Sequence, residues 1–240
     1  SNKLIFVCGI SRSGTTLLSS LINTSYNTVT FSELIPIPKF NLYQFNSTNS
    51  SKPDFKKQLN KFLCVNKITV KDVFSCNKQY IKLYNVAVLN SPEERIHYAV
   101  TMALNLSKKI NSSKAMRVSL KLNNTAFELT KRIFPDAKFV FIERGITDNI
   151  QSHINANFKK TEGKVKEQWN IYSQKWLDFT KANPENCLRV RYENLAISPL
   201  YTSRMLFSFL GIDFKDNHLL IGEKENVKNF KDHINFNSLS

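Results

Sequence analysis

Glycine is scarce, six residues in 240, which excludes collagen-like repeats and Gly-rich linkers. No stretch reaches the roughly 18 apolar residues of a membrane-crossing helix, and no signal-peptide pattern is present. The four cysteines, Cys8, Cys64, Cys76 and Cys187, form no Cys-x-x-Cys pair and have no histidine nearby, so no zinc site is expected. Cys8 and Cys187 lie inside apolar, strand-like runs and read as reduced, buried thiols, whereas Cys64 and Cys76 would bridge only in an oxidising compartment. Acidic residues are also in short supply. Against 34 Lys+Arg there are 19 Asp+Glu, a net charge of +15 with a pI near 9.7. Such a balance invites an anionic partner: nucleic acid, a membrane surface, a phosphorylated cofactor or an acidic protein substrate. The positive charge is dispersed along the chain and forms no single arm.

What is there suits one large domain. The chain is 42% hydrophobic and 12% aromatic, enough for a sizeable core. Leu4 to Cys8 is a continuous apolar run, the mark of a strand buried on both faces. Thr15 to Asn23 then carries Leu17, Leu18, Leu21 and Ile22 at helical spacing. Further strands are expected at Val29–Phe31, Met116–Leu122, Lys138–Ile142 and Leu188–Tyr192. Helices are expected at 54–63, from the Ser91-Pro92-Glu93-Glu94 capping box to about Lys109, and over 124–134, 147–158, 164–182 and 199–210. Strands alternating with helices predict an α/β fold: a P-loop-like, doubly wound, mostly parallel sheet flanked by helices. Residues 1–240 form one domain in this reading, with a helical insert over about 54–110. Ligands in such folds lie beyond the carboxyl ends of the strands, so chemistry is to be sought after Cys8, Phe31, Leu122, Ile142 and Val190.

Gly9-Ile10-Ser11-Arg12-Ser13-Gly14-Thr15-Thr16 links the first strand to the first helix, the setting in which backbone N–H groups and a helix N-terminus hold an anion. Its glycine spacing matches the phosphate loop of ATPases, but Thr15 stands where their lysine reaches the β- and γ-phosphates. Glu143, the nearest carboxylate for Mg²⁺, has Arg144 beside it. The loop therefore suits one terminal anionic group, with Arg12 for charge and Ser13, Thr15 and Thr16 for hydroxyls.

Ser11-Arg12-Ser13-Gly14-Thr15-Thr16 resembles the 5′-phosphosulfate loop of sulfotransferases that use 3′-phosphoadenosine 5′-phosphosulfate (PAPS). Arg144 at a strand end and Ser152 eight residues later are similar to the pair that holds the cofactor's 3′-phosphate in that family. Val190-Arg191-Tyr192-Glu193-Asn194-Leu195 and Phe209-Leu210-Gly211-Ile212 are similar to later family blocks, in the right order. The best match is to the tyrosylprotein sulfotransferases. The resemblance implies PAPS as cofactor, adenosine 3′,5′-bisphosphate as product and no metal. It also implies that Tyr192 approaches the adenosine.

Sulfuryl transfer to a hydroxyl needs a base, cations for the moving group, and alignment. Glu33 follows the second strand and, by resemblance, is the general base; no histidine follows an early strand. Lys121 lies two positions later than the family's catalytic lysine, a shift that preserves its face on a strand. Together with Arg12 and Thr15 it is the expected stabiliser of the transferring group. The acceptor expected is a hydroxyl on a protein tyrosine, a carbohydrate or a small metabolite, with an acidic peptide or polysaccharide suited to the charge. The aromatic stripe Trp169, Tyr172, Trp176, Phe179 reads as core. The competing readings are a nucleotide kinase with a degenerate loop and a basic nucleic-acid-binding protein, for which no recognition motif is present. With its first strand almost at the start and no stem before it, the chain reads as cytoplasmic in preference to a Golgi enzyme trimmed of an anchor.

Overall fold

The computed structural model describes residues 4–31, 117–122, 126–156 and 161–215, with helical positions 93, 96, 97, 100, 101, 103, 104 and 107 between them. Five strands form one sheet: β1 (Leu4–Gly9), β2 (Thr28–Phe31), β3 (Arg117–Lys121), β4 (Lys138–Glu143) and β5 (Cys187–Arg191), in the order β2-β3-β1-β4-β5. Every neighbouring pair is parallel. The doubly wound arrangement anticipated from the apolar runs is thus present. Ile5, Phe6, Val7 and Cys8 are all buried because β1 is covered on both faces.

One face packs Phe6, Cys8, Phe139 and Phe141 against helices α2 (Phe127–Ile133) and α4 (Glu162–Ala182), with Val100 and Ala103 of the helical positions. Trp176 stacks on Phe141 at 4.6 Å between ring centroids and meets Phe127 edge-on at 5.7 Å. The stripe on α4 is core at Trp176 and Phe179, as its spacing predicts. The other face packs Ile5, Val7, Val140 and Ile142 against α1 (Thr15–Asn23), α5 (Tyr192–Ile197) and α6 (Pro199–Leu210). Pro199 opens α6, and Gly211 closes it in the left-handed conformation with φ 63°.

Burial also quiets the two cysteines of the sheet. Desolvation pushes the Cys8 thiol far up, and Cys187 to about 12, against the pull of Lys131 and Lys138. Both are free thiols.

Two local expectations change. Tyr192 does not continue β5; it begins α5, whose six residues are too few to display a helical period. Helix α3 (Ile146–Asn155) stops before residue 158. The loop expected at 41–53, residues 54–92 of the insert expected over about 54–110, Cys64, Cys76 and Glu33 lie outside the described residues. Among the described residues no helix is long and apolar enough to cross a membrane.

Sheet order decides where a ligand can sit. Strands β3 and β2 lie to one side of β1, and β4 and β5 to the other. The two halves of the winding diverge at β1 and β4, and the crevice opens beyond their carboxyl ends.

Candidate active site

Gly9 to Thr16 folds back over the end of β1. A Cβ on Gly9 would stand 2.6 Å from Thr15 Cγ2 and 2.8 Å from the Ile142 carbonyl oxygen, so only glycine admits so close an approach to β4. Two loop residues are left-handed, Arg12 at φ 69° and Gly14 at φ 97°. Such conformations in a loop before a helix build the amide concavities that bind anions. Gly14 also caps α1 without offering a side chain, so the first-turn amides receive no side-chain cap. An added Cβ at Gly14 would lie 2.7 Å from Tyr192 Cδ2. Gly14→Ala is therefore expected to cost about 2–4 kcal/mol of stability, from left-handed strain plus overpacking, as measured by urea unfolding. An unchanged unfolding midpoint would contradict this packing.

The loop is gripped from one side by α3. Asn149, Ser152 and His153 share a helix face by their spacing. Asn149 Nδ2 donates to the Ser11 carbonyl and to Ser13 Oγ, each at 3.0 Å. His153 Nε2 lies 3.2 Å from the same Ser11 carbonyl, and that acceptor makes Nε2 the protonated nitrogen. Arg12 Nε donates to Ser152 Oγ at 3.2 Å. The two phosphate-site motifs, 140 residues apart in sequence, are thus in direct contact. Ser13 is fully buried and Thr15 nearly so, whereas Thr16 is exposed.

Arg144 leaves the end of β4 with its guanidinium 4.5 Å above the Tyr192 ring. Its peptide is pinned on both sides: Trp169 Nε1 donates to the Arg144 carbonyl at 2.9 Å, and Gly145 N donates to Glu193 Oε1 at 2.6 Å. Arg144 Nε is buried and has no hydrogen-bond partner among the described residues. A buried, undischarged guanidinium donor is costly unless something anionic meets it. Burial raises the Tyr192 pKa, with Arg144 opposing and Glu193 adding to the shift, so the phenol stays neutral. Glu143, by contrast, is committed inward: it accepts from Arg189 Nε at 2.5 Å and from Ser173 Oγ at 3.3 Å.

Lys121 is the last residue of β3 and is paired in register with Val7. It therefore shares the α1 face of the sheet, two residues short of the end of β1. From one edge to the other, the carboxyl ends of the sheet present the exit of β2 after Phe31, then Lys121, the Gly9–Thr16 loop, Arg144 and Tyr192. Asn149 and His153 were not singled out by sequence reasoning, which read Trp169 as core and named Glu193 only within the Val190–Leu195 block. Asn149 does precede Ser152 and His153 at helical spacings, but spacing cannot tell a polar residue facing a loop from one facing water.

This geometry can be set beside known proteins. A family model described as the sulfotransferase family matches residues 5–216. No curated protein matches. Among solved structures, the sulfotransferase domain of the Synechococcus PCC 7002 olefin synthase is similar at TM-score 0.65 and 16% identity, over 100% of this chain and 82% of that one. The sulfotransferase domain from the curacin biosynthetic pathway is similar at 0.57 and 18%, over 94% and 79%. Sulfotransferase STF9 from Mycobacterium avium is similar at 0.56 and 14%, over 94% and 69%. At such identities the structures speak for the fold, while the family model spans most of the chain and takes in every described site residue. With loop, Arg144 and Ser152 gathered at one crevice, the chain belongs to the sulfotransferase family, the PAPS-dependent enzymes whose motifs its sequence resembles.

Proposed function

We propose that residues 1–240 act as one domain that moves a sulfuryl group from PAPS to a hydroxyl acceptor, leaving adenosine 3′,5′-bisphosphate. The observation that carries this reading is the buried Arg144 Nε with no partner among the described residues, beside a loop suited to a second anion. Donors at two separated points of one crevice fit a nucleotide bearing anionic groups at both its 3′ and 5′ ends. When bound, PAPS would supply an activated sulfuryl group; the chain supplies positioning and charge.

In this reading Arg144 and Ser152 hold the 3′-phosphate, the guanidinium fork matching two oxygens of a dianion. The Arg12 side chain, the first-turn amides and the Thr15 and Thr16 hydroxyls face the 5′ group. Ser13, being buried, acts by shaping the loop. Tyr192 gives the Arg144 guanidinium a flat apolar bed beside the adenosine. Glu33 takes the acceptor's proton as its oxygen attacks sulfur in line with the departing phosphate oxygen, and Lys121 and Arg12 meet the charge that develops. The acceptor is an acidic one, a tyrosine in an acidic peptide or a hydroxyl of a polysaccharide, in keeping with the +15 charge and the nearest motif resemblance.

Calorimetric titration tests the cofactor. Adenosine 3′,5′-bisphosphate is expected to bind at least about tenfold more tightly than adenosine 5′-monophosphate, the difference being the charge-assisted bonds to the 3′-phosphate. Equal affinities would remove the 3′-phosphate site. Turnover of ATP with Mg²⁺ and none with PAPS would establish the kinase reading in its place.

A further inference from the structure

We infer that Asn149 is a positioning residue for sulfuryl transfer: it sets the shape of the 5′-group loop from the helix that carries the 3′-phosphate serine. The inference rests on the cofactor reading above. Asn149 is fully buried, and its amide nitrogen spends both hydrogens on the loop, one on the Ser11 carbonyl and one on Ser13 Oγ. A carbonyl oxygen can only accept, so the atom facing Ser11 must be Nδ2, and the amide orientation is determined. These two contacts bracket Arg12, the residue whose backbone is left-handed at φ 69°. A non-glycine residue in that region is strained and persists where its surroundings over-determine it. Asn149 provides that constraint from one side of the loop, with His153 Nε2 reinforcing it at Ser11.

The consequence is specific to one end of the nucleotide. Arg144, the cation assigned to the 3′-phosphate, lies outside the bracketed segment on a turn held by Trp169 and Glu193, so loss of the Asn149 amide disturbs the loop and reaches Ser152 only through its bond from Arg12. A general loss of stability would weaken both ends alike.

Calorimetry with two nucleotides separates these. Asn149→Ala is expected to weaken adenosine 3′,5′-bisphosphate binding about tenfold, the loss of hydrogen bonds that order the loop, while adenosine 3′-monophosphate binding stays within about twofold. Arg144→Ala, in the same experiment, is expected to weaken both. Should Asn149→Ala fail to fold, Asn149→Asp keeps the side-chain shape and carries the same expectation, because it turns an oxygen toward the Ser11 carbonyl. Ser13→Ala, which removes one of the two acceptors, is expected to show a smaller loss with the same selectivity. Equal weakening of both nucleotides by the Asn149 variants, or none, overturns the positioning role. Failure of the wild type to bind either nucleotide overturns the cofactor reading and this inference with it.

Discussion

Glu33→Gln is expected to lower the rate of sulfuryl transfer by about 10²–10⁴-fold while leaving adenosine 3′,5′-bisphosphate affinity within about twofold. The substitution keeps size and hydrogen bonding but removes the group able to take a proton. Topology supports the choice. Strand β2 ends at Phe31, at the carboxyl end of the sheet that also presents Lys121 and the Gly9–Thr16 loop, and Glu33 comes two residues later in the chain. The acceptor hydroxyl would then enter from the β2 side while the nucleotide lies across β1 and β4. Transfer from radiolabelled PAPS to acceptor, with nucleotide affinity measured in parallel, reads both quantities. Full turnover by Glu33→Gln would take the base away from this residue.

Arg144→Ala is expected to have the largest effect on binding: about a 10–100-fold weaker affinity for adenosine 3′,5′-bisphosphate, the worth of a charge-assisted, forked contact. More telling is the loss of discrimination. The variant should bind the bisphosphate and adenosine 5′-monophosphate almost equally, since the 3′-phosphate no longer meets a cation. Arg144→Lys should recover only part of the preference, because an ammonium neither forks nor spreads over the Tyr192 ring 4.5 Å away. The backbone of this turn is held by Trp169 and Glu193 independently of the Arg144 side chain, so the variants should fold. Undiminished preference for the bisphosphate in Arg144→Ala would place the 3′-phosphate elsewhere.

Much of this site was legible in the residues. The runs Leu4–Cys8 and Phe139–Ile142 are apolar without alternation, as a strand covered on both faces requires, and both prove to be central strands. Loop and helix start follow from Gly9, Gly14 and the Thr15–Asn23 periodicity. Less legible was the short helix α5. Tyr192 and Leu195 bury one face of it, but two apolar positions do not make a period. Trp169 shows the limit of pattern reading in another way. Its place in the stripe predicts core packing, and it does pack there, yet its indole N–H also holds the Arg144 carbonyl. Periodicity reports which face a residue is on and says nothing of the hydrogen bond at its rim.

The shortage of acidic residues illustrates the same division. Composition by itself invited an anionic partner without choosing one, and the motifs reduced a dispersed +15 to a few cations worth testing. Tertiary structure alone decided where these cations stand relative to the sheet. The order β2-β3-β1-β4-β5 sets β4 beside β1, which brings Arg144 to the phosphate loop and lays Ser152 against Arg12 across 140 residues of chain. It also turned Glu143 inward to Arg189, away from the crevice. Local spacing encodes strands, helices and the loop because those depend on neighbours in sequence. The pairing of strand ends depends on how the two apolar faces of the sheet are covered, a property of the whole folded chain.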